Sequence, residues 1–257
     1  MELLGEGRTA EVFAYGDGLV LKLDRPDWNG LSAFEATVLE ALADAGLPVA
    51  RPRGTVTVDG RAGVLLDRVD GPSLLQVLNA SPEGELAALA GRFVALQRRC
   101  NEAVVAGLPA LVPRLRSEIE ASVPEAALRA ELLALLGALD EGARSVCHCD
   151  FHPLNVLVGP DGWVVIDWLT VAAGPPAADL ARTLVLWGLR ATGPVGHFLR
   201  AVRRQGRAQL GLADEDLDAW VRVVAAARVA EGFEGDERAW LLRVASGAER
   251  LFAIPPG

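Results

Sequence analysis

Residues 147–168 read Cys147-His148-Cys149-Asp150-Phe151-His152-Pro153-Leu154-Asn155-Val156-Leu157-Val158-Gly159-Pro160-Asp161-Gly162-Trp163-Val164-Val165-Ile166-Asp167-Trp168. Two β-type runs, Val156-Leu157-Val158 and Val164-Val165-Ile166, flank Gly159-Pro160-Asp161-Gly162, a strong turn signal, so the stretch predicts a hairpin. Pairing Val158 with Trp163 sets Asn155 opposite Ile166 and Leu154 opposite Asp167. The open end of the hairpin then carries one carboxamide and one carboxylate side by side. Hard oxygens of this kind suit Mg²⁺, which takes a few protein ligands and completes its shell with water and phosphate. Asp150 falls on the loop entering the hairpin, where a carboxylate can accept the proton of an attacking hydroxyl. Singly, such residues cap turns. Spelled together as His148-x-Asp150-x-x-x-x-Asn155 and then Ile166-Asp167-Trp168, they are far more specific.

Lys22 is the one lysine among 25 Lys and Arg residues. It sits in the apolar run Leu19-Val20-Leu21-Lys22-Leu23. A lysine is a compact point charge and an arginine a wide planar fork, and a narrow slot for phosphate oxygens wants the former. The chain has 257 residues, 51% of them hydrophobic, enough for one large domain or two joined lobes with a real core. No apolar run approaches the ~18–20 residues of a membrane span. The start, Met1-Glu2-Leu3-Leu4-Gly5-Glu6, is acidic where a signal peptide is basic. A soluble cytoplasmic protein with no membrane partner is expected. The net charge of −9 argues against a nucleic-acid partner and permits a cationic small molecule. Three cysteines, with Cys147 and Cys149 too close for an ordinary staple, argue against a disulfide framework. Zinc is disfavoured because no second ligand cluster accompanies Cys147-His148-Cys149.

Residues 1–69 read as strands with one helix. The strands are Glu11–Tyr15, Leu19–Leu23, Thr55–Val58 and Gly63–Leu66, separated by turn signals at Gly16-Asp17-Gly18 and Asp59-Gly60. The helix, Leu31–Ala45, carries Leu31, Phe34, Val38, Leu42 and Ala45 at helical spacing. From Gly71 the chain turns helical. Its stripes are Leu86/Leu89/Ala90/Phe93/Leu96, Leu128/Leu132/Leu135/Leu136/Leu139, Leu217/Trp220/Val221/Val224 and Trp240/Leu241/Val244/Ala248/Leu251. Asp70-Gly71-Pro72 marks a hinge. The expectation is an α+β fold with a small β-rich N-terminal lobe over 1–69 and a larger helical lobe over 70–257.

The stretch CHCDFHPLNVLV…WVVIDW resembles the catalytic loop and metal-binding strand of the aminoglycoside phosphotransferase family, small-molecule kinases of the bilobal protein-kinase-like fold. The resemblance implies that Asp150 is the catalytic base, that Asn155 and Asp167 hold Mg²⁺, and that His148 props the loop. It implies that Asp179, in Ala178-Asp179-Leu180-Ala181, braces it. Gly5-Glu6-Gly7-Arg8-Thr9-Ala10-Glu11-Val12 resembles the phosphate-covering loop, with Gly5 and Gly7 as its glycines and Ala10 replacing a third. Lys22 then matches the phosphate-binding lysine and Glu35 its partner. Ser32-x-x-Glu35 is also a capping box, which would have Glu35 close its own helix start. Leu65-Leu66-Asp67-Arg68-Val69-Asp70-Gly71 resembles the interlobe hinge, where the Asp67 carbonyl and the Val69 N–H would meet a purine. The resemblance implies ATP as the donor, and GTP is the alternative because main chain reads the base there. Two positions depart from the family: Cys149 stands where glycine is common, and Leu96-Gln97-Arg98-Arg99 where a histidine is common.

Only Trp168–Ala178 separates Asp167 from Asp179, little room for a peptide platform, which favours a small-molecule acceptor. Acidic candidates to meet amines are Glu231, Glu234 and Asp236, in the break Glu231-Gly232-Phe233-Glu234-Gly235-Asp236, although a solvated turn between helices fits that break equally. Asp214, Glu215, Asp216 and Asp218 read as the first turn of a helix, where the dipole favours carboxylates. The expected activity is ATP- and Mg²⁺-dependent O-phosphorylation of an aminoglycoside or related aminated sugar or alcohol. The rivals are a kinase of another metabolite and a non-catalytic nucleotide sensor.

Overall fold

The computed structural model describes residues 1–139, 142–189 and 191–252. Five antiparallel strands form the first sheet: β1 (Leu3–Glu6), β2 (Ala10–Ala14), β3 (Leu19–Asp24), β4 (Pro52–Val58) and β5 (Arg61–Asp67), in the order β1-β2-β3-β5-β4. The turn between β4 and β5 is Asp59-Gly60, with φ of 51° and 78°. Two successive positive φ values match the right-handed twist of the strands it joins, as Asp-Gly turns do. Helix α1 (Leu31–Asp44) packs on β3, β4 and β5. Its buried face carries Ala36, Val38, Leu39 and Leu42, and Leu21, Leu23, Val64 and Leu66 of the sheet are buried as well. The face differs from the expected stripe. Phe34 is exposed, while Ser32 and Glu35 are buried. The helix is rotated so that two polar residues point inward, because each meets a partner there.

The remaining elements are α2 (Leu74–Ala80), α3 (Leu86–Asn101), α4 (Leu111–Ser122), α5 (Ala126–Leu139), β6 (Ser145–Cys147), β7 (Val156–Gly159), β8 (Gly162–Val165), β9 (Ala172–Gly174), α6 (Pro176–Gly188), α7 (Gly193–Leu210), α8 (Asp214–Arg228) and α9 (Gly235–Ala245). Helix α8 touches α4, α5, α6 and α9. Val223, Val224, Ala225, Ala226 and Ala227 are all buried, so this second half of the helix is apolar all round and runs through the core, whereas its first turn is acidic. The fourth expected stripe overruns its helix: α9 stops at Ala245, Gly247 has φ 80°, and Ala248 is exposed. No helix among the described residues is long and apolar enough to cross a membrane.

The chain folds as two compact units, residues 1–74 with 154–170, and residues 75–153 with 171–257. The β7–β8 hairpin therefore groups with the N-terminal sheet, where a division at Asp70 would assign it to the helical part. Several contacts inside the first unit explain this. Val165 N–H donates to Pro48 O at 2.8 Å, and Val158 N–H to Pro72 O at 2.9 Å. Gly71 runs so close to β7 that a Cβ there would lie 2.1 Å from the Val158 carbonyl oxygen. The fold is α+β, with the small antiparallel sheet unit and the larger helical unit that the sequence implies.

The rotated face of α1 is testable. Leu39→Ala is expected to cost about 2–5 kcal/mol, as buried leucines do, and Phe34→Ala about 0.5 kcal/mol or less, as at the surface. Urea midpoints of the two variants check it, and the reverse order would restore the stripe through Phe34.

Candidate active site

In the first unit, β3 holds Lys22 between Val12 of β2 and Val64 of β5. Its Nζ donates to Glu35 Oε1 at 2.8 Å, with Oε2 also at 2.8 Å, and to Asp167 Oδ1 at 2.9 Å. Burial alone would push the ammonium's pKa down, but the charges and hydrogen bonds of the two carboxylates outweigh it and hold Lys22 above its ordinary value. Burial drives the Glu35 carboxyl up, and the Lys22 ammonium opposes it. The capping-box reading fails, because Asp24 caps the start of α1 instead. Its Oδ2 accepts from Gly30 N–H at 2.8 Å and from Ser32 N–H and Oγ at 3.0 Å. Glu35 is left to face Lys22.

The hairpin takes the expected register: Val158 pairs with Trp163, and Ile166 N–H donates to Asn155 O at 3.0 Å. Asn155 and Asp167 thus lie at the open end. Asp167 has φ 63°, a left-handed turn that ends the strand, and its side chain is 42% exposed. One carboxamide and one carboxylate are the hard oxygen donors that Mg²⁺ takes from protein, so the residues present fit that ion. Gly5 lies in β1 and Gly7 just after it. Gly7 N–H donates to Ala10 O at 2.9 Å, and neither glycine has a positive φ. A Cβ on Gly5 would meet nothing within 4 Å, and one on Gly7 would lie 3.7 Å from the Ala10 carbonyl oxygen. Asp67 ends β5 with its carboxylate gripped by Arg53 at 2.7 and 2.8 Å, and its N–H donates to Arg51 O at 2.9 Å. Val69 follows two residues on.

In the second unit, β6 delivers His148, Cys149 and Asp150. His148 is fully buried, and its Nδ1 accepts the Asp150 N–H at 3.1 Å. His152 Nε2 stands 3.5 Å from Asp150 Oδ2. Burial pushes the Asp150 carboxyl up, but the hydrogen bond and charge of His152, then His148 and Arg182, more than offset it and hold the pKa at about 2. Cys149 is buried with φ 62°, a left-handed conformation that costs a side-chain-bearing residue about 1–2 kcal/mol. Asp179, on α6, is buried and takes the Cys149 N–H on Oδ1 at 2.8 Å. Its Oδ2 accepts from Gln97 Nε2 and Asn101 Nδ2, both at 3.1 Å. Asn101 also donates to Val146 O at 2.8 Å, and Thr183 Oγ1 to Phe151 O at 2.8 Å. Arg182 Nε donates to the Cys149 carbonyl.

The sequence profile of the phosphotransferase enzyme family matches residues 1–213. The chain belongs to that family. It is an enzyme of phosphoryl transfer. Comparison with curated protein sequences found no match. Among solved structures it resembles aminoglycoside phosphotransferase APH(4)-Ia, at 17% identity and TM-score 0.68 over 95% of this chain and 91% of that one. It also resembles APH(3'')-Id from Streptomyces rimosus, at 20% identity and TM-score 0.63 over 86% and 89% of the two chains. Amicoumacin kinase matches at 15% identity and TM-score 0.61 over 95% and 86%. At these identities the likeness is one of fold, the protein-kinase-like α+β fold.

For this phosphotransferase, one sequence expectation needs correction. Glu231 does not offer a carboxylate to an amine. It lies in the 3₁₀ turn Val229–Glu231, where Arg182 reaches it at 2.7 Å and Arg228 at 3.1–3.2 Å. Burial raises its carboxyl, but Arg182 and Arg228 hold it below its ordinary value. Glu234 and Asp236 are exposed at the start of α9. Gln97, at the end of the first long helix, occupies the departure noted in sequence and does hydrogen-bonding work there. Sequence reasoning missed Asn101, Thr183, Arg182 and His152 as supports. Gln97 and Asn101 recur at i+4 after Phe93, in phase with an apolar stripe, which was the available signal. The cysteines are unsuited to thiol chemistry: all three are buried and free, and burial pushes Cys100 and Cys149 up to about 12 and Cys147 well above its ordinary value. Among the described residues no group of three or more His, Cys, Asp or Glu could hold a metal.

Two outcomes are expected. Asp179→Asn turns an NH₂ group toward donors and should cost about 2–4 kcal/mol in urea unfolding. A fold stability equal to wild type would remove Asp179 from this role. Asp150 is held at about 2 against 3.8, so its ionised form adds stability above about pH 4, which is lost as pH falls through 2. The urea-midpoint difference between wild type and Asp150→Asn should shrink from pH 4 downward. Growth of that difference on acidification would reverse the sign.

Proposed function

We propose that the chain transfers the γ-phosphoryl group of ATP, with Mg²⁺, to a hydroxyl of a small molecule, an aminoglycoside or related aminated sugar or alcohol being the first class to test. The observation that carries this reading is the Lys22 ammonium, seated between Glu35 and Asp167 at 2.8 and 2.9 Å. A lysine anchored by one carboxylate beside a second, metal-suited one is the arrangement that phosphoryl transfer needs at the donor phosphates. Asn155 and Asp167 would hold Mg²⁺, whose charge, when bound, offsets the negative charge of the phosphate oxygens. Gly5 and Gly7 would cover those oxygens. The main chain of Asp67 and Val69 would meet the purine, and because only backbone reads the base there, GTP is the alternative donor.

Asp150 would face the acceptor. A carboxyl held at about 2 is too weak a base to strip an alcohol before transfer begins. It accepts a hydrogen bond from the hydroxyl, aligns its oxygen, and takes the proton as the new P–O bond forms, which suits a loose transition state. His148 and Asp179 keep the loop in place. Support for a small acceptor comes from the short Trp168–Ala178 link and from related structures. APH(4)-Ia was solved with AMP-PNP and hygromycin B, and amicoumacin kinase with AMP-PNP, Ca²⁺ and its ligand. With Glu231 committed to arginines, Glu234 and Asp236 remain to meet an aminated acceptor. The same reading places the enzyme in the cytoplasm, where ATP is supplied.

The test is ADP and GDP release with Mg²⁺ across aminoglycosides and simple amino alcohols. Asp150→Ala should lower turnover by roughly 10²–10⁴-fold with ATP affinity unchanged. Matching losses of turnover and ATP affinity would place Asp150 in nucleotide binding instead. ATP binding with no acceptor-stimulated release in wild type would favour a nucleotide sensor.

A further inference from the structure

The peptide group joining Cys149 to Asp150 is held at both ends. Its N–H, on Asp150, goes to His148 Nδ1 at 3.1 Å, and its C=O, on Cys149, accepts from Arg182 Nε. The Cys149 N–H, one peptide earlier, goes to Asp179 at 2.8 Å. Between these anchors Cys149 keeps φ 62° although it is not glycine. A side-chain-bearing residue stays in that region only where its surroundings over-determine it. Arg182 is suited to the task because its guanidinium is fixed from the other side. Glu231 accepts from its Nη2 at 2.7 Å, and Arg228 braces Glu231 through three contacts of 3.1–3.2 Å. Only 12% of the Arg182 side chain is exposed.

We propose that Arg182 is a positioning residue for Asp150: clamped by Glu231, it holds the Cys149 carbonyl, keeps Cys149 in its left-handed conformation and so aims the Asp150 carboxylate. The proposal rests on Asp150 being the group that meets the acceptor. It assigns a role to Glu231 as well, since the clamp comes from the break between α8 and α9. A lysine at 182 presents a single ammonium and cannot reach both the carbonyl and Glu231 as a fork does.

Hydrogen exchange and turnover on the full chain test it together. In Arg182→Ala, amides of residues 148–152 should exchange about 10–100-fold faster, the range expected for one lost charged hydrogen bond, while helix α8 stays protected. ADP release from Mg-ATP, with hygromycin B or water as acceptor, should fall in kcat by a similar factor with KM for ATP within about threefold. Arg182→Lys should fall between. The discriminating variant is Cys149→Gly added to Arg182→Ala. Glycine adopts positive φ freely, so loop exchange and kcat should recover in large part. Unchanged exchange over 148–152, acceleration spread evenly along the chain, or no recovery with Cys149→Gly would each overturn the proposal. Asp150→Ala measured alongside separates two failures. Full turnover there overturns the role given to Asp150, whereas lost turnover there with normal Arg182→Ala overturns only the role of Arg182.

Discussion

The Asp179 carboxylate is the hub of the helical unit. It sits on α6 and takes donors from Gln97 and Asn101 on α3 and from the main chain of Cys149. A buried carboxylate without such donors would be driven out or neutralised. With them it locks two helices and a loop to one point, and hydrogen bonds to a charged group are worth more than neutral ones. The loop that carries Asp150 therefore inherits its place from helices rather than from its own sequence. Asn101 extends the lock to Val146 on β6, and Thr183, one turn beyond Asp179, extends it to Phe151.

The sheet unit solves the converse problem, a cation among apolar strands. Lys22 is mostly buried, and two carboxylates keep it charged. Its neighbour two residues on, Asp24, does a different job with the same economy: one buried oxygen caps the start of α1 and satisfies a serine hydroxyl. Together these contacts set the rotation of α1. The helix turns Glu35 and Ser32 inward for their partners and leaves Phe34 in water.

That rotation explains where sequence reading worked and where it did not. The hairpin was legible to the residue, since a two-residue turn at Pro160-Asp161 leaves one register and that register alone sets Asn155 beside Asp167. The Lys22–Glu35 pair was legible from motif order. The face of α1 was not, because counting apolar residues weights Phe34 and ignores buried ions, whose partners lie on another element. The end of α9 was overrun since Ala248 and Leu251 continue the period past a left-handed Gly247. Glu231 misled for a related reason: an acid in a loop reads as solvated, and its partner Arg182 lies 49 residues away with no local pattern to announce it.

The three cysteines have a practical consequence. All are buried and free, with pKa values at about 12 for Cys100 and Cys149 and well raised for Cys147, so the native fold offers almost no thiolate at neutral pH. The wild-type chain is therefore its own labelling background. A single cysteine placed on the exposed side of α1, where Phe34 now stands, can carry a dye or spin probe without first stripping the native thiols, one of which sits next to Asp150.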